Sequence, residues 1–453
     1  MGHWKWVSDR GVSGIARIED QWRTLAKQAG SRFMAGPTWN RAYIRAFSFD
    51  AEVRALYFGS HLAAVAVFRG ENSVRTLEEN EHFPVCDVAV DWSLPGVADA
   101  LLDDWMDGQS ELLLARLPAD GSLTRELELA ARSRGSEIAI CRSQGDAFLP
   151  LTGGVDTVRS LFSGRSIRDS RKHEANLIQI GHLTVHHDTT ISRALLHEAF
   201  ELEAAGWKGR EGSPMAAQPE TKAFYETLAE LGSRNHEMIL HSLRLDGKMI
   251  AFELATRSGG RMDVLKIGYD ETYAKHSPGN VLRWHVIESE ATKGEIASYH
   301  FGRPSPWKTR WATQIGDLAS VRIYAGLAGR AKYWASIAPR LWAKENLGEV
   351  VSAVRTLTGR PEAQVFQPRR TSAPPANRVS TPRPPLRASS PPELSLTKVP
   401  NGFPGLRLAR LPDMGSDLEI TGIPDEADAP ADSTVRVTAG AATSEAARAR
   451  SAS

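Results

Sequence analysis

The clearest alternation of hydrophobic and polar positions lies in the second half of the chain. Residues 238–245 (MILHSLRL) alternate as a β-strand does, and Asp246-Gly247 is a dipeptide typical of two-residue hairpin turns. A second strand pattern follows at 248–257 (KMIAFELATR). After a Ser-Gly-Gly turn, residues 261–269 (RMDVLKIGY) form a third such segment. The pattern therefore predicts an antiparallel meander of three strands.

A weaker copy of this pattern lies in the first half, where 53–58 and 62–69 predict two strands around a Gly59-Ser60-His61 turn. Apolar residues with a helical period precede both meanders. We therefore expect an α/β fold with a mixed sheet, built from two similar halves. The predicted helices cover residues 18–29 and 40–47 in the first half, and 191–205 and 220–231 in the second.

The third strand leads directly into a turn and a helix, in the stretch YAKHSPGNVLRWHVI at 273–287. Ser277 is a good N-cap, Pro278 suits the first helical position, and Gly279 allows another group to approach the backbone closely. The free N–H groups of such a helix, at its positive dipole end, suit an anion such as a pyrophosphate. A capped helix without a ligand is the alternative interpretation.

Composition sets limits on the class of protein. The 453 residues include 55 basic and 54 acidic side chains, so the chain as a whole has no bulk attraction to nucleic acid. Cys86 and Cys141 are the two cysteines, which excludes a disulfide framework and a cysteine-rich zinc site. The first residues lack an apolar signal core, and no apolar run approaches the ~20 residues of a membrane span. We expect a cytoplasmic protein, with peripheral contact at the inner membrane left open.

The end of the chain differs in character, because 14 of the 25 prolines lie from Pro361 onward. We expect residues 1–150 to form the first half and 151–345 the second. A terminal helix and a disordered tail rich in Pro, Ala and Ser would occupy 346–453. The segment 329–347 mixes aromatic and basic residues, which suits either packing on the folded part or an anionic membrane surface.

The predicted order of elements is similar to the GNAT acyltransferase fold. In that fold a splayed strand and the following helix N-terminus hold the pyrophosphate of acyl-CoA. The resemblance therefore implies acetyl-CoA or another acyl-CoA as donor, no metal, and a cofactor site at Lys275, Ser277, Gly279 and Asn280. The usual glycine-rich signature of that loop is absent, and 275–280 (KHSPGN) is a variant of it.

A narrower resemblance rests on several short motifs that occur in one recurring order. They resemble the CelD-like acetyltransferases, which are associated with cellulose and other surface-polysaccharide synthesis. That family belongs to the tandem GNAT proteins, which include the FemABX peptidoglycan aminoacyltransferases. The resemblance covers 161–324 well, and His300 stands where the family commonly has Asp. The motifs are Glu203, Trp207-Lys208-Gly209, Tyr269-Asp270, Tyr273, Ser277-Pro278-Gly279, Phe301-Gly302, and Lys308 with Trp311.

Acyl transfer to an amine needs a base, donors for the developing oxyanion and a proton for the departing thiolate. Glu203 and His300 are candidate bases, Tyr273 a candidate proton donor, and Lys308 a candidate partner for negative charge. Each has a structural alternative. Glu203 would be a solvated surface carboxylate, His300 a hydrogen-bonded core residue, and Tyr273 a packing aromatic.

The substrate side of the predicted cleft includes Trp207, Lys208 and Trp311, where an aromatic ring can stack on a sugar. Arg165, Arg168 and Arg171 recur every third residue, which places them along one side of a helix. This stripe suits a phosphate of the substrate, and a solvated face paired with acidic neighbours Asp169 and Glu174 is the alternative.

Two further features stay open. Glu253 lies in the middle of an apolar strand, where a carboxylate is exposed, paired or functional. His186-His187-Asp188 superficially suggests a metal site, but neighbouring strand residues point in opposite directions and no further ligand has suitable spacing.

The leading hypothesis is an acyl-CoA-dependent N-acyltransferase that acetylates an amino group of a sugar or related precursor of a surface polysaccharide. Its partners would be a small amine acceptor, such as a nucleotide sugar, and the polysaccharide-synthesis machinery, without DNA. The first alternative is a FemABX-type transferase that uses aminoacyl-tRNA. The second is a non-catalytic scaffold of a polysaccharide synthase complex.

Overall fold

The computed structural model describes residues 3–47, 50–71, 74–77, 85–206 and 215–339. Trp207 and Lys208 therefore lie outside the described residues, as do the end of the predicted terminal helix and the whole Pro-rich tail. Within the described part of 329–347, the α-helix Gly326–Lys332 continues into a π-helical turn, Tyr333–Ile337.

The first half contains the predicted strands and helices, together with several elements that the alternation did not indicate. Its strands are β1 Trp4–Arg10, β2 Glu52–Phe58, β3 His61–Glu71, β4 Val74–Leu77, β5 Ala89–Val90, β6 Glu111–Pro118 and β7 Glu137–Pro150. Its helices are α1 Gly11–Gln28, α2 Pro37–Phe47, α3 Val97–Trp105 and α4 Ser122–Ser133, with a 3₁₀ turn at Phe33–Ala35.

The second half repeats this order after two additional helices. Its helices are α5 Gly154–Ser160, α6 Gly164–Ile178, α7 Arg193–Ala205, α8 Pro219–Arg234, α9 Pro278–Lys293 and α10 Gly326–Lys332. Its strands are β8 Leu183–Asp188, β9 Met238–Leu245, β10 Lys248–Ser258, β11 Arg261–Tyr269, β12 Ser298–Gly302 and β13 Gln314–Tyr324. Two 3₁₀ turns lie at Glu271–His276 and Lys308–Arg310.

The described strands form one mixed sheet, and both predicted meanders are antiparallel within it. Its order is β1-β2-β3-β4-β6-β13-β7-β12-β11-β10-β9-β8, with β5 paired to β3. The two halves exchange strands in the centre, because β13 pairs with β6 and β7 pairs with β12. The chain order thus reads as two halves, whereas hydrogen bonding joins them into a continuous sheet.

The central strands of the second half are covered on both faces. Phe252 and Leu254 of β10 pack with α2, α7 and α8 in one hydrophobic cluster. Ala251 and Ala255 pack with α9 in another cluster on the opposite face. Burial on both faces explains why β10 reads as a nearly continuous apolar run, and it makes the charged Glu253 in that run unusual.

Candidate active site

The second half of the sheet opens where β11 and β12 diverge. The two strands pair in parallel only over Arg261–Asp263 and Ser298–His300. The rest of β11, from Val264 to Tyr269, pairs with β10 on one side and has no strand partner on the other within the described residues. Its backbone groups on that side therefore face a cleft and are available to a bound molecule.

A cavity of about 390 Å³ lies beside this unpaired part of β11. One end is formed by the turn before α9, where Ala274 and Asn280 are exposed. At the other end Phe252, Glu253 and Arg283 are between 1% and 4% exposed. The cavity thus runs from solvent into the interior. Its lining residues are Leu202, Glu203, Gly206, Phe252, Glu253, Ile267, Gly268, Tyr269, Ala274, Ser277, Pro278, Gly279, Asn280, Leu282, Arg283 and Trp307.

The start of α9 forms the open end of the cavity, but it differs in detail from the prediction. Ser277 lies at the N-cap position with φ of 47°, in the left-handed region, and its side chain makes no capping hydrogen bond. Its carbonyl oxygen instead accepts hydrogen bonds from the backbone nitrogens of Asn280 (2.9 Å) and Val281 (3.1 Å). Pro278 occupies the first turn, as expected. The prediction of a side-chain cap was therefore wrong, while the helix start was correctly placed.

Gly279 is not required by the backbone or packing of the chain. It does not have positive φ, and the nearest atom to a Cβ at this position would be Cδ1 of Tyr269 at 3.9 Å. This is ordinary van der Waals contact. Among the described residues no atom lies closer to that position, so a Cβ introduced there makes only ordinary van der Waals contact with them.

Glu203 lies near the end of α7 and forms part of the cavity wall. It is 2% exposed, and its Oε2 accepts a hydrogen bond from the backbone nitrogen of Met215 at 2.6 Å. The alternative of a solvated glutamate is therefore wrong. Tyr225 is also fully buried, and burial together with the negative charge of Glu203 raises the pKa of this tyrosine well above 10.

Glu253 is paired and also lines the cavity. Arg283 Nη2 donates to Glu253 Oε2 at 3.0 Å, and the hydroxyl of Tyr299 donates to Glu253 Oε1. Burial opposes the charged form of Arg283, but the charge of Glu253 raises its pKa above the ordinary value. Burial and then Glu253 raise the pKa of Tyr299 well above 10. Arg283 is therefore protonated and Tyr299 is neutral.

Aromatic rings surround the guanidinium of Arg283. Its Cζ lies 4.8 Å from the ring centroid of Trp307, and 5.7 Å from those of Phe301 and Trp311. Its Nε is buried without a hydrogen-bond partner among the described residues. Cation–π contacts and the Glu253 ion pair together fix the orientation of this cation.

His300 does not line the cavity, so the structure does not support its prediction as a general base. Its Nδ1 lies 2.9 Å from Asp146 Oδ2 and its Nε2 lies 2.8 Å from Ser298 Oγ, so both ring nitrogens have partners. Its ring stacks on Phe148 at 5.0 Å. The geometry instead supports the alternative interpretation, in which His300 is a hydrogen-bonded core residue.

The histidine belongs to a buried charge network that links the two halves. Arg32 Nη2 donates to Asp146 at 2.7 Å and Nη1 donates to Asp263 at 3.1 Å. Burial would raise the pKa of Asp146, but the hydrogen bond with His300 and the charge of Arg32 lower it below its ordinary value. The network thus joins the loop after α1 to β7, β11 and β12.

Four other predicted site residues lie outside the cavity wall. Tyr273 packs against the cluster under α9, in agreement with its structural alternative, and Lys275 is exposed. Lys308 Nζ lies 5.5 Å from the ring of Trp307, which itself lines the cavity. The ring of Trp311 packs on Phe162 and lies near the guanidinium of Arg283, which lines the cavity.

The arginine stripe lies on α6, a helix as predicted, and it faces solvent. Arg165 and Arg168 are exposed, and neither lines the cavity. Arg165 is 3.8 Å from Asp169, at 86% side-chain exposure. Glu174 does not pair with the stripe, because its Oε1 lies 2.8 Å from His285 Nε2 on α9. The stripe is therefore a separate basic surface.

His187 does not join His186 and Asp188 at one site. Its Nδ1 lies 2.7 Å from Nδ1 of His241 on the neighbouring strand, while His186 Nε2 contacts Thr184. Burial lowers the pKa of both His187 and His241. In the part of the chain that the structure describes, no group of three or more His, Cys, Asp or Glu side chains is arranged to hold a metal ion.

Sequence reasoning missed Arg283, Trp307 and Tyr299. A signal for Arg283 was present, because it interrupts an apolar helical run, VLRWHVI, just as Glu253 interrupts an apolar strand. Two opposite charges, each alone in a buried segment, are most stable when they meet. The contact of Tyr299 with them depends on strand register, which the sequence pattern does not fix for a short strand.

Comparisons with known proteins agree with this architecture. Residues 164–309 match the family described as Acetyltransferase (GNAT) domain, which includes the cavity and α9. No curated protein matches the chain significantly. The crystal structure of FemX superposes with a TM-score of 0.53 at 12% identity, covering 70% of this chain and 98% of that chain.

Two further solved structures are similar to this chain at lower TM-scores. The C-terminal domain (DUF2156) of a putative lysylphosphatidylglycerol synthetase from Agrobacterium fabrum has a TM-score of 0.46 at 12% identity, covering 70% of this chain and 96% of that chain. A tandem GNAT protein from the clavulanic acid biosynthesis pathway has a TM-score of 0.37 at 11% identity, covering 72% and 99%. The expected mixed α/β GNAT-like fold is confirmed by the family match over residues 164–309 and by the similarity to FemX.

Proposed function

We propose that this protein is an N-acyltransferase that uses acyl-CoA, with acetyl-CoA as the first candidate donor. The observation that carries the proposal is the cavity of about 390 Å³ beside the unpaired end of β11, which is lined by residues of α7, β10, β11 and α9 and is open at the N-terminus of α9. A helix N-terminus favours a pyrophosphate, and an unpaired strand edge favours an extended amide chain. Acyl-CoA contains both groups in that order.

The residues of the cavity suggest how each part of the donor would be held. The start of α9 at Gly279, at the positive end of the helix dipole, would receive the pyrophosphate. The open edge of β11 would pair with the pantetheine arm, and Gly268 has no side chain to obstruct it. The acyl group would then reach the buried end of the cavity, beside Phe252, Glu253 and Arg283.

Glu203 is the proposed general base. The amine nitrogen of the acceptor would attack the thioester carbonyl carbon, and a C–N bond would form as the C–S bond breaks. Glu203 lines the cavity and would accept the proton that the amine loses, while the departing thiolate takes up a proton. Proton removal is needed because a protonated amine has no lone pair for the attack.

The acceptor remains part of the proposal. The order of short motifs from Glu203 to Trp311 supports an amino group on a sugar or related precursor of a surface polysaccharide, because that order resembles the CelD-like acetyltransferases. Partnership with the polysaccharide-synthesis machinery, at the inner membrane or away from it, rests on the same resemblance. Among the described residues no helix is long and apolar enough to cross a membrane.

Transfer from an aminoacyl-tRNA is the second candidate function. Two observations favour it: the similarity to FemX, and the exposed stripe of Arg165, Arg168 and Arg171 on α6, which suits a nucleic-acid backbone. The two candidates differ in a measurable property. Binding of tRNA should weaken steeply with salt, whereas binding of acetyl-CoA in a buried cavity should weaken much less.

Calorimetric titration of acetyl-CoA into the full chain tests the proposal, with Gly279→Asp as the informative variant. Aspartate in the first turn of a helix favours folding, and Gly279 has room for a side chain, so this variant should fold normally. Its negative charge would repel the pyrophosphate. Gly279→Asn is the matched control, because it adds nearly the same volume without charge.

We expect wild-type binding in the micromolar range, at least ten times weaker binding by Gly279→Asp, and an intermediate effect of Gly279→Asn. No acetyl-CoA binding by the folded wild-type protein would contradict the acyl-CoA proposal. Salt-sensitive tRNA binding would then support the second candidate, and the absence of both would support a scaffold. Equal binding by all three proteins would show that the donor does not use the start of α9.

A further inference from the structure

The two halves of the chain provide an internal control for the charged group at the buried end of the cavity. Glu253 lies five residues after the first residue of β10, and Ala66 lies five residues after the first residue of β3. Arg283 is the sixth residue of α9, and Leu102 is the sixth residue of α3. Glu253 and Arg283 therefore correspond to Ala66 and Leu102.

The third member of the group has an apolar counterpart as well. Tyr299 pairs with Met262 where β12 meets β11, and Leu112 pairs with Arg75 where β6 meets β4. Leu112 is fully buried and packs in the same hydrophobic cluster as Ala66 and Leu102. The first half thus forms the same topology with three apolar residues, so the fold does not require Glu253, Arg283 or Tyr299.

A charged group that the fold does not require needs another explanation. Removing an arginine and a glutamate from water is costly, and their attraction often only offsets that cost. In addition, Arg283 Nε is buried without a hydrogen-bond partner among the described residues, which is uncommon for a donor of this kind. The arrangement therefore keeps a cation of fixed orientation at the wall of a cavity.

The ion pair limits the chemistry of the ligand group at this position. Glu253 already balances the charge of Arg283, so a permanently charged ligand would gain little net attraction at this position. A neutral carbonyl oxygen fits better, because it accepts a hydrogen bond and acquires negative charge only during acyl transfer. The aromatic rings of Trp307 and Phe301 hold the guanidinium in place, so little reorganisation would be needed at that moment.

We propose that Arg283 is a catalytic residue that donates a hydrogen bond to the carbonyl oxygen of the transferred acyl group. This inference rests on the proposed function. As the amine nitrogen bonds to the carbonyl carbon, the C=O π pair moves to the oxygen beside Arg283, and Glu203 takes the amine proton. The C=O bond then re-forms, the C–S bond breaks and the thiolate leaves. Glu253 and Tyr299 act as positioning residues for the guanidinium.

Isotope-edited infrared spectroscopy of bound [1-¹³C]acetyl-CoA tests this role without knowledge of the acceptor. Hydrogen bonding to the thioester carbonyl shifts its stretching band to lower frequency. The informative variant is Glu253→Gln/Arg283→Met, which removes both charges and so leaves no buried unpaired ion. Glu253→Gln alone retains Arg283 without its carboxylate, so it tests whether Glu253 positions the guanidinium, and urea unfolding verifies that this variant is folded. Calorimetry on each protein measures donor affinity separately.

We expect a lower-frequency band with the wild-type protein, a smaller shift with Glu253→Gln, and a band near that of free acetyl-CoA with the double variant. Donor affinity should stay within about threefold, and slow hydrolysis of acetyl-CoA should fall by about 10²–10³-fold in the double variant, the usual effect of losing one oxyanion donor. A shift that persists in the double variant, or no shift in wild type despite binding, would overturn the role of Arg283 alone. Failure of the wild-type protein to bind acetyl-CoA would overturn the proposed function and this inference with it.

Discussion

The two halves of the molecule share a topology but use its centre differently. β4 with β6 and β11 with β12 each pair in parallel over three residues, and a helix links the two strands in both halves. The residue before that helix is left-handed in both, Gly96 in the first half and Ser277 in the second. Yet the cavity beside β3 and β4 holds only about 30 Å³, against about 390 Å³ beside β10 and β11.

The difference lies in side chains at equivalent positions. Apolar residues close the centre of the first half, where Ala66 and Leu102 pack in one cluster. Glu253 and Arg283 line the cavity of the second half. The cross-strand neighbours of these two positions differ as well. Arg54 pairs with Ala66 in the first half, and His241 pairs with Glu253 in the second. The comparison shows that strand divergence belongs to the fold, whereas the chemistry of the cleft depends on a few substituted positions.

The largest expected effect comes from breaking the charged pair by one member. Arg283→Met leaves Glu253 buried without its cation, which should lower the free energy of unfolding by about 3–5 kcal/mol. Glu253→Gln/Arg283→Met should recover most of that loss, because it leaves no buried charge at either position, as in the first half, where Ala66 and Leu102 are uncharged. Urea unfolding of both variants measures this. An equal loss in the single and double variants would contradict the comparison.

An intermediate effect is expected from pH, through the histidine pair at β8 and β9. Burial lowers the pKa of His241 well below 6.5, with further lowering from His187, Lys293 and Arg257, and burial also lowers the pKa of His187. Below pH 6.5 the unfolded chain therefore binds protons that the folded chain excludes. Stability should be complete above pH 6.5 and should fall as the pH decreases below it, by up to about 1.4 kcal/mol per pH unit for each histidine.

The first half offers a contrast at the equivalent position. Arg54 is paired with Asp104, and although burial opposes its charge, that hydrogen bond and ion pair raise the pKa of Arg54, so it does not titrate in this range. Replacing His241 removes one of the two titrating histidines. The urea midpoint of His241→Gln should then depend less on pH between pH 8 and pH 5 than the midpoint of the wild-type protein. If that variant keeps the full wild-type slope, the acid sensitivity does not arise from this pair.

The smallest expected effect concerns the basic surface on α6. Arg165→Ala/Arg168→Ala should change the free energy of unfolding by less than about 0.5 kcal/mol, because both side chains are exposed and the Arg165–Asp169 pair is long at 3.8 Å. Acetyl-CoA affinity should stay unchanged, since neither arginine lines the cavity. Any tRNA affinity should fall and lose salt dependence. Calorimetry and tRNA titration at two salt concentrations measure these quantities, and weaker acetyl-CoA binding would place the stripe in the donor site.

Much of the fold could be predicted from local patterns. The hairpin at Asp246-Gly247, the meander and the helices before it depend on turn chemistry and periodicity, which neighbouring residues determine. The helix starting at Pro278 was predicted for the same reason. The cavity-lining positions of Ser277, Gly279 and Asn280 follow from that local start, together with the expected divergence of the preceding strand.

The rest of the candidate site depends on long-range contacts. His300 is placed by its pairing with β7 and β11, which brings Asp146 and the Arg32 network to its ring. Arg283 and Tyr299 meet Glu253 only because β12 lies beside β11 in one particular register. A local pattern carries no information about which distant strand becomes a neighbour or on which face a side chain then lies.

By itself, the sequence determined the α/β class, the repeated order of elements and the turn before α9, because these follow from periodicity and turn residues within a few positions. Only the tertiary structure decided that β13 pairs with β6 and β7 with β12, that Glu203 is buried, and that Glu253 pairs with Arg283. These depend on residues separated by tens to hundreds of positions. Only the folded sheet brings such residues within hydrogen-bonding distance.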